Sequence, residues 1–176
     1  MAKTEDKLIL LDSDVLIHFF KGGLLATLLP YLYPQRLLIA AAVLSELTDK
    51  QIKQEITNLL NFKMISLYTI PPKLNFVILK EIAQIRKDVP TAEAGETICM
   101  AIAKCDNKII ASSNLKDIKV YCTINNIQYL TTMDILAEAY KQKKLDEAEC
   151  DYFIYNVKSK GSKLPCNTIK EYLEKK

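Results

Sequence analysis

The chain has 176 residues, of which 49% are hydrophobic and 26% are charged, and its formal net charge at pH 7 is +3. This length and composition predict one compact domain with a substantial core. No apolar stretch approaches the roughly 20 residues that a membrane helix needs. The first seven residues lack the apolar segment of a signal peptide, so we expect a cytoplasmic protein with no membrane contact.

Cysteine and histidine usage limits the kinds of site that the chain can build. Five cysteines occur without a C-x-x-C pair, which argues against a disulfide framework and against a structural zinc site. The only histidine, His18, excludes a metal cage made of histidines and argues against a Ser-His-Asp triad. A metal would therefore be held mainly by carboxylates, which favours Mg²⁺ or Mn²⁺.

Apolar runs alternate with amphipathic stretches along most of the chain, which predicts strands alternating with helices. The predicted strands cover 8–11, 36–41, 64–70, 108–112 and 127–130. The predicted helices cover 15–29, 43–60 (as one or two helices), 74–85, 91–104, 131–143 and 145–157. The first has a break at Gly22-Gly23 and a stop at Pro30. Thr91 is the predicted cap of the helix over 91–104, and Thr131 or Thr132 that of the helix over 131–143. This order indicates an α/β fold in which helices cover both faces of a parallel sheet.

Acidic residues occur where predicted strands meet the helices that follow them. Asp12 ends the first strand, Glu46 follows the second strand in an apolar neighbourhood, and Glu96 lies beside Gly95 near the start of a helix. In open α/β sheets ligands bind outside the carboxyl ends of the strands. Carboxylates around one cleft repel each other unless a divalent cation neutralises them, and such an ion can orient a phosphodiester for attack by water.

Each of these acids also has a plain structural interpretation. Glu46 is equally compatible with an ordinary position on a helix surface, and Glu96 with a favourable acid in the first turn of a helix. Asp14, two residues after Asp12, is expected to be the N-cap of the first helix. Gly95 inside a helical stretch costs about 1 kcal/mol relative to alanine, which suggests close packing or ligand approach there.

Four short segments, in chain order, resemble the motifs of the PIN-domain ribonuclease family, which includes the toxins of many bacterial toxin–antitoxin pairs. The match covers roughly residues 7 to 140. The segments are Leu10-Leu11-Asp12-Ser13-Asp14-Val15-Leu16-Ile17, Leu44-Ser45-Glu46-Leu47, Gly95-Glu96-Thr97 with the apolar residues after it, and Ile109-Ile110-Ala111-Ser112-Ser113-Asn114.

The resemblance implies a PIN-like three-layer fold with a central parallel sheet of about five strands between helices. It also implies metal-dependent endonucleolytic cleavage of RNA phosphodiesters. Asp12, Glu46 and Glu96 would then bind Mg²⁺ or Mn²⁺, and Ser13 would hydrogen-bond beside them. RNA is the expected substrate, while an antitoxin protein and a second copy of the chain are candidate partners.

The fourth motif departs from the family pattern, because Ser112 and Asn114 stand where the family most often has Thr and Asp. An asparagine can coordinate through its carbonyl oxygen but adds no negative charge. The resemblance therefore gives a catalytic set of Asp12, Glu46, Glu96 and Asn114, with a one-metal or weakly active site. Asp117, one turn after Asn114, is an alternative source of the missing charge or else a surface residue.

Two other functions compete with the nuclease. A degenerate PIN domain would bind RNA or a protein without cutting, and the neutral Asn114 suits it. A haloacid-dehalogenase-like phosphatase would use Asp12 as nucleophile and Asp14 as general acid. That family also needs a pair of acids after a later strand, whereas the later acids here lie in helical contexts.

No linker, internal repeat or low-complexity segment divides the chain, so we expect a single PIN-like domain over 1–176. From about residue 141 it continues as a helical, lysine-rich C-terminal extension. Such a segment can help to hold phosphates, but lysine-rich ends are commonly just solvated. The sequence leaves open whether this extension covers the cleft, contacts RNA or binds a partner.

Overall fold

Five strands form one parallel sheet in the computed structural model, which describes residues 7–176. The strands are β1 (Ile9–Leu11), β2 (Leu37–Ile39), β3 (Ser66–Leu67), β4 (Ile109–Ala111) and β5 (Tyr129–Leu130). Their order across the sheet is β3-β2-β1-β4-β5, with every neighbouring pair parallel. The predicted α/β fold, a central parallel sheet of five strands between helices, is confirmed.

The three middle strands form the centre of the core. Every residue of β1, β2 and β4 is buried, which explains why these segments are aliphatic on both faces. In β1, Ile9 lies opposite Leu37 on one side and Ile109 on the other. The strands are only two or three residues long, so their carboxyl ends and the loops after them are close to the centre of the molecule.

Ten α-helices surround the sheet in the described part of the chain. They are α1 (Ser13–Lys21), α2 (Leu29–Leu32), α3 (Ala41–Glu46), α4 (Lys50–Asn61), α5 (Asn75–Asp88), α6 (Ala94–Asp106), α7 (Leu115–Ile124), α8 (Thr132–Lys141), α9 (Glu147–Ser159) and α10 (Ile169–Glu174), with a 3₁₀ turn at Pro72–Leu74. Helix α1 contacts α4, α8 and α9, whereas α6 contacts α5 and α7. These two groups form the layers that cover the sheet.

The structure corrects several predicted helix boundaries. The break predicted at Gly22-Gly23 is confirmed, since α1 ends at Lys21, but the continuation of the helix to residue 29 and its stop at Pro30 are wrong, because α2 begins only at Leu29. Pro30 lies in the first turn of α2, where a backbone N–H has no partner within the helix, so the missing N–H of proline costs no helical hydrogen bond. Thr91 does not cap α6; the N-cap is Glu93. Helices α7 and α10 were not predicted.

The order of the strands places a cleft between β1 and β4. The chain steps from β1 through β2 to β3 on one side, then crosses over to β4 and β5 on the other. This reversal next to β1 is the topological switch point at which α/β sheets bind ligands. Asp12 follows β1 directly, and Asn114 lies three residues after β4.

The lysine-rich C-terminal extension packs onto the rest of the fold. Helix α10 contacts α8 and α9, and the apolar residues before and within it are buried: Leu164, Cys166 and Ile169. Phe153 of α9 stacks on Phe19 of α1 with ring centroids 5.1 Å apart. This segment therefore contributes to the core.

No helix in the described residues 7–176 is both long and apolar enough to cross a membrane.

Candidate active site

Acidic side chains line a small cavity of about 160 Å³ at the carboxyl ends of β1 and β4. We call it the carboxylate cleft, and its lining residues are Asp12, Ser13, Asp14, Glu46, Glu93, Glu96 and Asn114. It brings together all four residues of the predicted catalytic set, together with Ser13. Of the other two predicted residues, Ser112 and Asp117, neither lines the cleft; each contacts residues that do.

Asp12 is fixed between β1 and α1. Its backbone N–H donates to the carbonyl oxygen of Ala111 in β4 at 2.9 Å, and its side chain is the N-cap of α1, accepting from the Ser13 N–H at 2.8 Å. The residue is only 4% exposed. Burial, followed by the negative charge of Asp14, raises the pKa of Asp12 to about 7.

The expected role of Asp14 as helix cap is wrong, since Asp12 occupies the N-cap position. Asp14 lies in the first turn of α1, and its carboxylate accepts from two backbone N–H groups. These belong to Val15 at 2.6 Å and to Ser113, just beyond β4, at 2.7 Å. The Ser112 hydroxyl also contacts it at 3.4 Å. Asp14 thus joins the start of α1 to the end of β4.

Glu46 reaches the cleft because residue 95 is a glycine. The Gly95 N–H at the start of α6 donates to Oε1 of Glu46 at 2.5 Å. A Cβ atom at position 95 would lie 2.9 Å from Cδ of Glu46 and closer still to Oε2. The close approach suspected from the sequence is therefore real, and it joins the last residue of α3 to the positive end of α6.

Glu96 is the most deeply placed acid that α6 contributes. It is 4% exposed and lies in the first turn of that helix. Its Oε2 contacts the amide Nδ2 of Asn114 at 3.4 Å, whereas its Oε1 is buried with no hydrogen-bond partner among the described residues. Burial, and then the charges of Asp12, Asp117 and Asp14, raise the pKa of Glu96 to about 8.

Asn114 links the cleft to Asp117. Its Nδ2 donates to Oδ2 of Asp117 at 2.8 Å as well as to Glu96. The other carboxylate oxygen of Asp117 accepts from the Thr91 hydroxyl at 2.6 Å. Asp117 is buried behind Asn114, so the alternative of a surface residue is wrong, and its two oxygens are already occupied. Ser112 is fully buried and accepts from the Asn114 N–H at 3.2 Å.

Glu93 is a cleft residue that the sequence reasoning missed. It is the N-cap of α6, where its side chain makes no capping hydrogen bond. Its place in the cavity wall follows from the loop before α6, which the sequence pattern does not define. Glu93 could have been predicted from its spacing of three residues from Glu96, since residues three apart share a helix face.

Larger cavities occur elsewhere, but their chemistry differs. One of about 670 Å³ lies beside the connection between α8 and α9, where three lysines are followed by three acids. Another of about 670 Å³ lies between α5 and α7. Neither adjoins a buried acid oxygen that lacks a partner; the two such oxygens in the described chain are Oε2 of Glu46 and Oε1 of Glu96. Perturbed, unpartnered acids mark a functional site better than size does.

The oxygen atoms that line the cleft are of the types that coordinate a hard divalent cation. Such an ion prefers carboxylate and amide oxygens, and it would satisfy the two oxygens of Glu46 and Glu96 that have no partner. As placed, however, no three His, Cys, Asp or Glu side chains of residues 7–176 are arranged to hold one ion.

Comparison with models of known protein families gives no match, and no curated protein matches the chain in sequence. Function must therefore be inferred from the cleft itself.

Proposed function

We propose that this protein is a metal-dependent endoribonuclease with a PIN-like fold, which hydrolyses RNA phosphodiester bonds at the carboxylate cleft. The observation that carries the proposal is Glu96, a buried acid with one unpartnered oxygen in a cleft that also holds Asp12 and Glu46. A buried, unpaired carboxylate destabilises a fold. Such a group is best explained by a ligand that neutralises it, and a divalent cation is the simplest one.

Asp12, Glu46 and Glu96 are the residues that would hold Mg²⁺ or Mn²⁺. When bound, the cation lowers the pKa of a coordinated water and neutralises charge on the phosphate. The Ser13 N–H fixes the orientation of the Asp12 carboxylate, and the Gly95 N–H does the same for Glu46. Asn114 fixes Glu96 by donating from its amide.

The substrate in this proposal is RNA, and the setting is the cytoplasm. The cleft is lined by acids, so a phosphodiester can approach it only when a cation offsets their charge. Cleavage of a negatively charged RNA phosphodiester in this cleft would therefore require the metal ion. An antitoxin protein and a homodimer belong to the same proposal, and copurification and light scattering would test them.

The decisive experiment is cleavage of total RNA in the presence of Mn²⁺. We expect the unaltered protein to cut, and Asp12→Asn and Glu96→Gln to reduce the rate by about 100-fold or more, because each removes a charge needed in the transition state. Glu174→Gln is the matched control, since it makes the same chemical change at an exposed position near the end of α10. If the unaltered protein cuts no faster than the two cleft variants, the proposal is wrong.

A second candidate function is a non-catalytic RNA-binding module. Two observations favour it: position 114 carries no charge, and the acids are not gathered around one point. Calorimetry with Mn²⁺ separates the two candidates. Measurable affinity that Asp12→Asn abolishes supports the nuclease, whereas RNA binding without Mn²⁺ affinity supports the module.

A further inference from the structure

A surface groove follows helix α9, away from the carboxylate cleft. Two cavities of about 390 and 670 Å³ adjoin there, and Leu145 and Glu149 line both of them. The smaller cavity extends past the C-terminal end of α1 to Lys160, whereas the larger lies beside the connection between α8 and α9. We call the two together the α9 groove. Because α9 has 13 residues, its length is about 20 Å, enough for several nucleotides of an extended strand.

Positive charge is in excess along the α9 groove. Its charged lining residues are five lysines, Lys21, Lys141, Lys143, Lys144 and Lys160, and three acids, Asp146, Glu147 and Glu149. None of the five lysines forms an ion pair with a described residue. Lys21 donates to the Ser162 hydroxyl at 2.8 Å, and Lys160 donates to the carbonyl oxygen of Lys21 at 2.7 Å. Neutral acceptors therefore hold these two ammonium groups in place without cancelling their charge.

The three acids of the groove are already engaged at the start of α9. Glu147 forms an ion pair with Lys170 at 2.8 Å. Asp146 and Glu149 form a capping box, in which each carboxylate accepts from the backbone N–H of the other residue at 2.8 Å. Their charge also faces the positive end of the helix. The lysines are thus the groups left to bind a ligand, and that ligand is an anion.

An exposed tyrosine lies in the same groove. Tyr152 is 64% exposed, lines the smaller cavity with Lys21 and Lys160, and forms no hydrogen bond with a described residue. Proteins that bind single-stranded nucleic acids combine a basic groove for the phosphates with aromatic rings on which the bases stack. A duplex keeps its bases stacked on each other, so it offers no free base to such a ring. The groove therefore fits a single strand better than a duplex.

We propose that the α9 groove binds single-stranded RNA, with a base stacked on Tyr152 and phosphates beside Lys21 and Lys160. This gives the lysine-rich C-terminal extension a role in holding RNA. Helix α1 begins at the carboxylate cleft with Ser13 and reaches the groove at Lys21, so its nine residues separate the two sites by about 14 Å. Binding in the groove is a function distinct from cleavage and does not require a cation in the cleft.

Fluorescence anisotropy with a labelled, unstructured RNA of about ten nucleotides tests this proposal. The full-length protein is titrated without divalent cations, so that the RNA stays intact. Tyr152→Ala should weaken binding by about 5- to 150-fold, the effect of losing one base-stacking ring, whereas Tyr152→Phe should keep the affinity. Tyr155→Ala is the matched control, because Tyr155 is on the same helix and 66% exposed but lies outside the groove lining.

Salt dependence measures the contribution of the lysines. Replacing Lys21 and Lys160 together by glutamine should reduce the slope of log affinity against log salt concentration by about 1.4, because each phosphate contact of a single strand contributes about 0.7. The control replaces Lys53 and Lys119, two exposed lysines outside the groove lining, and should leave that slope nearly unchanged.

Three results would overturn the proposal. The first is an unchanged affinity in Tyr152→Ala, or an equal loss in Tyr155→Ala. The second is equally tight binding of the same RNA as a duplex. The third is equally tight binding of a polyglutamate peptide, which would show that the groove attracts any polyanion.

The proposed nuclease function and the groove are tested separately. If total RNA is not cut but the short RNA binds with the expected dependence on Tyr152, only the nuclease proposal is wrong. If total RNA is cut and Tyr152→Ala binds the short RNA normally, only the proposal for the α9 groove is wrong.

Discussion

Two regions of the described chain hold acids with little exposed surface, and the surroundings of these acids are opposite. In the carboxylate cleft, Asp12 and Glu96 are each 4% exposed and face other acids. Where α10 packs on α8, the side chain of Asp134 is 15% exposed and faces only donors. It accepts from the Thr131 N–H at 2.9 Å and from the Tyr172 hydroxyl at 2.8 Å, and it pairs with Lys176.

The pKa values follow this difference. Burial alone would raise the pKa of Asp134, but hydrogen bonds from Lys176, Thr131 and Tyr172 outweigh it and lower that pKa. In the cleft, burial and neighbouring acids act in the same direction and raise the pKa of Asp12 and Glu96. At Asp134 the hydrogen bonds outweigh burial, whereas at Asp12 and Glu96 burial and neighbouring charges outweigh the hydrogen bonds. The cleft therefore has the electrostatics of a binding site.

The largest effect is expected from Gly95→Ala. The added methyl group would collide with the Glu46 carboxyl group and displace it from the cleft. We expect RNA cleavage to fall by about 100-fold, as a displacement of about 1 Å at a catalytic site can cause. We also expect the free energy of unfolding to fall by about 1–3 kcal/mol from overpacking. Cleavage rates and urea unfolding measure the two effects.

The control for Gly95→Ala is the same change in a Glu46→Ala background. Without the Glu46 carboxyl group the collision disappears, and alanine in a helix is about 0.5–1 kcal/mol more favourable than glycine. The sign of the stability effect should therefore reverse. Equal destabilisation in both backgrounds would show that another neighbour, such as the Val43 methyl group at 3.1 Å, is responsible.

A smaller and purely structural effect is expected from Asp134→Ala. Loss of this acceptor leaves Thr131 and Tyr172 without a charged partner, which should lower the free energy of unfolding by about 2–3 kcal/mol. Hydrogen exchange should increase in α10, and the cleavage rate per folded molecule should be unchanged. A loss of cleavage in the folded variant would mean that this junction and the cleft are coupled.

Much of this architecture could be predicted from the sequence. Each predicted strand overlaps an observed one, and the three middle strands are aliphatic runs because they are buried on both faces. Helix α7 was missed because its apolar residues lie on both sides: Ile118 and Cys122 are buried, whereas Val120 and Ile124 are exposed. Such a pattern has no clear amphipathic stripe.

Most members of the cleft were predictable, but Glu93 and the connections between the residues were not. Asp12, Glu46 and Glu96 each lie in a segment that follows a predicted strand or begins a predicted helix, so their convergence follows from the parallel topology. The bond of Asp14 to Ser113 spans about a hundred positions in the chain, and no local pattern reports it. Asp14 was predicted to be the N-cap of α1, but Asp12 is the N-cap. The difference depends on where α1 begins, and sequence patterns define that position to within only a few residues.

The dependence of stability on pH is the last expected effect, and in it two buried acids are partly opposed by one buried histidine. The folded protein keeps protons on Asp12 to about pH 7 and on Glu96 to about pH 8, whereas the unfolded chain loses them near their ordinary values of 3.8 and 4.5. This difference lowers stability as the pH rises from about 4 to about 8. Burial and Lys21 lower the pKa of His18 from 6.5 to about 4, which raises stability over pH 4 to 6.5.

We therefore expect the free energy of unfolding to fall from pH 4 to 8, because His18 offsets only one of the two acids and only below pH 6.5. Urea titrations across this range measure it. His18→Gln should make the fall below pH 6.5 steeper, whereas the pair Asp12→Asn and Glu96→Gln should give a rise that ends near pH 6.5. Mn²⁺ should reduce the fall above pH 6.5, because the ion binds ionised acids in the folded state. A fall that Mn²⁺ leaves unchanged would show that the cleft acids titrate without binding a cation. That result would contradict the interpretation of the cleft as a cation-binding site.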